Sequence, residues 1–255
     1  MLNISNRISI NTIGGGGDGL TKIFDNYGFL NMWSSENLTI SGTDTTAIDY
    51  AGEHDLVNPA AGNQPIYSAS DANFNSKPSL TFDGTDDYLS KSFVGYRNGD
   101  NTGVMVNVYR RLSGTYETAF CISEVSSDNN YVGLSSLATN NFEWIIRRTT
   151  FNNNYLGTTI NTNNTDARAV AIFSDGVNNG TIINGVDETI AVTGTDGLWV
   201  NDILDSDTLE IGALLINPSF SVYSNIGWCF SGYLPYVSKA NIIALQNELK
   251  TYYGI

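Results

Sequence analysis

From Leu80 onward the apolar residues fall in short alternating runs rather than helical stripes. Val104, Val106 and Val108 alternate with Met105, Asn107 and Tyr109. Residues 142–146, 169–173 and 208–214 are apolar runs of strand length, too short for helices. Asn184-Gly185 stands between Ile182-Ile183 and Val186, a strong two-residue hairpin signal because both central positions need positive φ. Short strands at this spacing predict an all-β sandwich or barrel. One segment alone reads as helix. Ser238 is its cap, and Ile242, Leu245, Leu249 and Tyr252 follow at i, i+3, i+7 and i+10. Lys250 sits near the negative end of its dipole and Gly254 takes the C′ position.

The first residues have another character. Leu2, Ile4, Ile8 and Ile10 are separated by polar residues, as in a half-buried strand, and Gly14 to Gly17 then run together before Asp18-Gly19. The division expected is an arm and glycine-rich hinge over 1–19 and one sandwich domain over 20–255. The arm reads equally as a docking strand for another subunit's sheet edge or as the sandwich's own first strand.

Composition narrows the partners. Twelve Lys and Arg stand against 26 Asp and Glu, a formal charge of −14. Such a surface repels nucleic-acid phosphates and anionic lipid, so neither partner is expected. Charged residues are 15%, low beside the ~25% of ordinary globular domains. Asn, Thr, Ser and Gly take their place and favour turns and long polar loops. At 255 residues the chain is large enough for one real core. Cys121 and Cys229 lie in apolar surroundings and read as buried thiols, while sequence alone leaves their pairing open. No apolar run reaches the ~18 residues of a membrane span. The first residues lack the basic and apolar regions of a signal peptide, so the expectation is a chain mature as written or released by another route such as lysis.

Two distant stretches carry a family resemblance. One is Pro78-Ser79-Leu80-Thr81-Phe82-Asp83-Gly84-Thr85-Asp86-Asp87-Tyr88-Leu89; the other runs from Trp228 through the C-terminal helix. Trp33, Gly52-Glu53-His54-Asp55-Leu56, Gln64-Pro65-Ile66-Tyr67, Leu209-Glu210-Ile211-Gly212 and Phe230-Ser231-Gly232 add weaker matches. Over residues 30–255 the chain resembles the laminin-G-like, concanavalin A-like lectin/glucanase modules found in bacteria and phage virion proteins. The resemblance implies a jelly-roll β-sandwich with a short C-terminal helix. It departs at Tyr233-Leu234-Pro235-Tyr236, where Pro235 removes a ladder donor and implies an edge or bulged strand.

Reactive chemistry is scarce. The only histidine, His54, lies in a polar loop and lacks the His and Cys neighbours a metal would want. Glu53-His54-Asp55-Leu56-Val57-Asn58 approaches the Glu-x-Asp-x-x-Glu of some glucanases of this fold but ends in Asn and lies between Gly52 and Pro59. That leaves unrelated carboxylate pairs to weigh, such as Glu124 and Glu143. Gly14 to Gly17 lacks the Lys-Ser/Thr of a phosphate loop. Two acidic clusters offer oxygens to calcium: Asp83, Asp86 and Asp87, and Asp196, Asp202, Asp205 and Asp207. Neither has the spacing of a dedicated loop, so no cofactor is assigned. For a glycan, Trp199 with Asn201 and Asp202 forms the first candidate platform, and Tyr155 with Asn153 the second. The competing reading of Trp199 is a core side chain.

The expectation is therefore a module without catalytic activity, a structural or binding protein on the surface of a phage particle. Its partners would be other virion proteins or copies of itself through residues 1–19, in a homo-oligomer, with host surface glycans at its loops. Its location would be the virion or the extracellular space. The alternatives are an extracellular bacterial lectin domain and a divergent polysaccharide hydrolase or lyase.

Overall fold

The computed structural model describes residues 17–97, 99–113, 117–124, 130–136, 142–147, 153–159, 165–203, 207–217 and 220–255. Two antiparallel sheets stack face to face, as the strand pattern predicts. In the eight-stranded sheet the order is Val186–Asp187, Asn179–Ile183, Arg168–Ser174, Gly103–Arg111, Asn225–Leu234, Lys77–Asp83 and Ile66–Asp71, with Asn31–Ser34 also on Asn225–Leu234. The ten-stranded sheet runs Ile190–Gly194, Asn153–Thr159, Phe142–Arg147, Tyr131–Ser136, Glu117–Ser123, Thr208–Ile211, Leu89–Ser92, Leu56–Val57, Asp44–Ala47 and Leu38–Ser41.

The eight-stranded sheet is covered on both faces. Met105, Tyr109, Val170 and Ile172 point between the sheets with Phe82, Phe120 and Trp33. Val104, Val106, Val108, Ala169, Ala171 and Phe173 point outward, beneath the helices. Alternation in this region thus separates two apolar faces, as expected of strands buried on both sides.

The C-terminal helix α2 (Lys239–Tyr253) caps on Ser238, whose Oγ accepts the Asn241 N–H, and ends on Gly254 at φ 67°. Ile242, Leu245 and Leu249 are buried as expected, but the last turn buries Tyr253 completely and Tyr252 only in part. The tyrosine Tyr252 instead donates to Glu36 Oε2 at 2.8 Å while Lys77 lies over its ring. Asn184-Gly185 forms the expected turn, with φ of 51° and 81°. Its Gly185 N–H donates to buried Gln246 Oε1, and Gln246 Nε2 donates to the Ile182 carbonyl, both at 2.7 Å.

Three expectations are corrected. Residues 17–27 form a second helix, α1 (Gly17–Tyr27), so Gly17, Asp18 and Gly19 are helical rather than hinge. Leu20, Ile23, Phe24 and Tyr27 make its apolar stripe, and Gly19 lets it close on Tyr252 of α2. The run 208–214 is two strands in different sheets. Gly212, at φ 82° and packed on the Phe82 ring, breaks it, and Ala213–Asn217 pairs with Phe220–Tyr223 as a separate hairpin. The strand before Pro235 is not an edge: Asn225–Leu234, 10 residues long, lies in the interior of its sheet and ends at Leu234, so the proline breaks no ladder. Its bulge lies between Trp228 and Phe230, where the facing residue flips, so Trp228 enters the inter-sheet core and Phe230 the helical face. The docking residues Leu2, Ile4, Ile8 and Ile10 lie outside the described residues.

Gln246 is the polar pin between α2 and the hairpin. Gln246→Leu keeps the bulk but leaves the Ile182 carbonyl and the Gly185 N–H without their partner. The expected cost is about 2 kcal/mol, read as a lower urea midpoint at unchanged slope.

Candidate functional site

One end of the sandwich gathers polar and aromatic loop residues over a buried, hydrogen-bonded floor. The floor is buried Trp199, whose Nε1 donates to Tyr233 OH at 2.9 Å, and Tyr233 OH, which donates to Asp100 Oδ2 at 2.9 Å. Gly103 makes this packing fit, since a Cβ there would lie 2.5 Å from Trp199 Nε1. Burial first, then the Asp100 charge, holds the Tyr233 hydroxyl protonated far above its ordinary range.

Two shallow clefts open over this floor. One, of about 290 Å³, is lined by Glu53, His54, Phe93, Gly95, Tyr96, Arg97 and Asp100. The second, of about 340 Å³, is lined by Leu30, Gly99, Asp100, Asn101, Thr102 and Pro235. Asp100 belongs to both.

The loop bearing His54 is organised by Asp49. This buried carboxylate accepts the N–H groups of Met32, Ala51, Glu53 and His54 and the Asn31 amide. Trp33 Nε1 donates to the His54 carbonyl at 2.6 Å. The imidazole packs edge-on against Phe93 at 4.5 Å and Tyr96 at 5.4 Å. Burial depresses its pKa below the ordinary value and outweighs the opposing pull of the Asp49 charge, so the ring is neutral at pH 7. Phe93 keeps 42% of its surface exposed and presents an apolar face.

Across the cleft, Arg97 sits in the left-handed region at φ 53°. A long side chain there costs about 1 kcal/mol in backbone strain. Its Nη2 donates to Asn31 Oδ1 at 2.6 Å, and the same oxygen accepts from Tyr96 OH at 2.8 Å.

The sequence candidates divide as follows. Trp199 is fully buried, so its ring offers no face to a sugar; the platform reading is corrected to a core one. Asn201 is exposed and beside the second cleft, with its N–H on the Asp100 carbonyl and its Nδ2 on Asn101 Oδ1. Asp202 Oδ2 caps the Trp199 N–H. Tyr155 and Asn153 lie on a strand one position in from the Ile190–Gly194 edge, and their side chains are outside the described residues. Glu124 accepts from Asn130, while the Glu143 side chain is outside the described residues. Phe93, Tyr96 and Arg97 escaped the sequence reading. The one available signal was the cluster of glycines around them, Gly95 and Gly99, both at positive φ.

The calcium candidates also separate. Asp83, Asp86 and Asp87 bring carboxylate oxygens within 4.8 Å of one another. Asp83 Oδ1 accepts the Thr85 and Asp86 N–H groups, and Asp87 Oδ2 accepts that of Asp83, which is turn chemistry. In the other cluster, Asp196 accepts from Asn179 and Gly197, Asp207 from Thr208, and Asp205 is outside the described residues.

No family model matches the chain, and no curated protein matches it in sequence. Solved structures share its fold. A Trypanosoma rangeli sialidase in complex with 2,3-difluoro-KDN matches with a TM-score of 0.59 at 12% identity, over 88% of this chain and 33% of the sialidase. A botulinum neurotoxin type C structure, concerned with cell entry dependent on two ganglioside molecules, matches with a TM-score of 0.54 at 13% identity, over 90% of this chain and 53% of that one. A leech intramolecular trans-sialidase matches at 0.52 and 14% identity, over 66% of this chain and 27% of the enzyme. The chain thus spans about a third of the length of the T. rangeli sialidase. At such identities the likeness establishes the β-sandwich fold. It also overturns the expectation of a module without catalytic activity, because the solved structures that share this sandwich include sialidases, which are enzymes.

Asp87 gives a pH test of the acidic turn. Burial, then the Asp83 and Asp86 charges, raises its pKa to about 6. A carboxyl raised on folding contributes stability that is full below its unfolded value and lost as pH rises through about 6. Asp87→Asn should therefore melt higher than the parent at pH 7.5 and at the same temperature at pH 4, by circular dichroism.

Proposed function

We propose that this chain is a glycan-binding β-sandwich module carried on the surface of a phage particle. The observation that carries the glycan reading is the rim cleft. It combines an exposed aromatic face, Phe93, with donors and acceptors on Arg97, Asp100 and Asn101, over the buried Trp199 and Tyr233. A sugar ring has apolar faces and hydroxyl edges, and shallow sites of this composition suit it. The ganglioside work on the neurotoxin and the sialic-acid analogues in the sialidase structures support the same reading. The virion reading, with self-association through residues 1–19, rests on the family resemblance of the sequence. It is checked by mass spectrometry of purified particles.

The second reading is a portion of an extracellular hydrolase, favoured by the sialidase chains in which the sandwich recurs. Release of free sugar from sialylated glycans by the purified protein would select it.

A glycan array with the purified protein tests the binding claim. The expected result is a discrete set of binders in the micromolar-to-millimolar range. Phe93→Ala should weaken them about tenfold with an unchanged melting temperature. Val186→Ser, an exposed change beside α2, should leave them alone. An array without binders, or full binding by Phe93→Ala, would sink the rim site.

A further inference from the structure

We infer that Arg97 is a carboxylate anchor, and that the cleft it lines takes a glycan ending in an acidic sugar. This deepens the glycan reading of the rim and rests on it.

Four observations meet at this residue. First, its guanidinium is held by a neutral partner. Nη2 donates to the Asn31 amide oxygen, and among the described residues no carboxylate stands within ion-pair distance of Arg97. Second, its Nε is buried and has no hydrogen-bond partner among the described residues. A buried arginine group left short of acceptors is costly unless something completes it. Third, it is pre-positioned. Its guanidinium carbon lies 5.4 Å from the centre of the Tyr96 ring and 5.5 Å from that of Tyr233, within cation–π range of both. Fourth, the backbone holds it in a strained left-handed conformation, which the surrounding turns enforce through the Tyr96 N–H on Phe93 O and the Asp100 N–H on Arg97 O.

The nearby acids do not cancel the charge by direct contact. Asp49 is occupied by five donors and Asp100 by the Tyr233 hydroxyl. Glu53 is exposed and 4.0 Å from the His54 ring. They do set a limit on the ligand. A densely charged polyanion would meet them and the −14 of the chain, whereas one carboxylate on a sugar can reach Arg97 alone. A planar carboxylate is the group that the arginine fork matches best. Phe93 lines the same cleft and offers its exposed face to the sugar ring.

The carboxylate can belong to a sialic acid or to a terminal hexuronic acid, and calorimetric titration with defined probes separates them. These are 3′-sialyllactose, a glucuronic-acid-terminated disaccharide, the carboxyl-reduced form of each, and lactose. At least one acid should bind the parent about tenfold more tightly than its reduced form, and the one that does names the source. Arg97→Asn, suited to left-handed backbone, should lower that acid to the level of its reduced form without changing lactose binding. Arg97→Lys should recover only part, because an ammonium lacks the fork. Equal binding of acid and reduced forms by the parent protein would overturn the assignment without needing any variant to fold. So would undiminished acid binding by folded Arg97→Asn. Neutral glycans bound with no acid preference would leave the rim reading standing and this inference refuted, whereas no binding by any probe or on the array would refute both.

Discussion

The double burial of the eight-stranded sheet is the constraint on which everything else depends. One face packs on the ten-stranded sheet and the other on α1 and α2. A sheet with one wet face could close as a plain sandwich. This one leaves Val104, Val106, Val108, Ala171 and Phe173 to be covered, and α1 and α2 cover them together with Phe29, Phe74 and Tyr236. The terminal helix is therefore part of the core rather than an appendage. Its contacts explain the buried Gln246 and the close approach of Gly185 to Asn247.

The same constraint stiffens the rim. Strands Gly103–Arg111 and Asn225–Leu234 are adjacent in the sheet interior, and the clefts sit where the first begins and the second ends. Trp199 and Tyr233 fill the gap between the layers just below, so the loops above have a fixed support. Recognition by such a surface needs little rearrangement, which keeps the ordering cost of binding low. Variation can then accumulate in the loops without disturbing the layers.

The fold was legible in the sequence because its signals are local. Asn184-Gly185 needs positive φ at both positions, and the helix stripe needs only a period of 3.6. The residues of the family motif prove to be structural. Leu80, Phe82 and Leu89 are core, and Asp83-Gly84 makes a turn with Gly84 at φ 78°. They announce the sandwich and stay silent about ligands. What could not be read depends on distant contacts. Helix α1 was hidden because its glycines resemble a hinge until Tyr252 is packed on Gly19. Trp199 looked like a platform because its neighbours are polar, yet Tyr233, 34 residues away, supplies a partner that draws it inward. Arg97 gave no sequence signal beyond its flanking glycines, since its role comes from Asn31, 66 residues earlier.

The anchor inferred at Arg97 depends on that pairing, because the protein as a whole is acidic. At physiological salt, exposed charges more than about 8 Å apart are largely screened. The global charge of −14 then governs approach, while the groups in contact govern the complex. Had residue 31 been an aspartate, its carboxylate would face Arg97 at hydrogen-bond distance and neutralise the fork. An asparagine there accepts from Arg97 and Tyr96 through its carbonyl and donates to Asp49 through its amide. It thus orients the arginine while keeping the negative charge of Asp49 one residue further back. The guanidinium is directed by Asn31 and paired with no described carboxylate, which is what the inferred discrimination of a carboxylate from a hydroxyl requires.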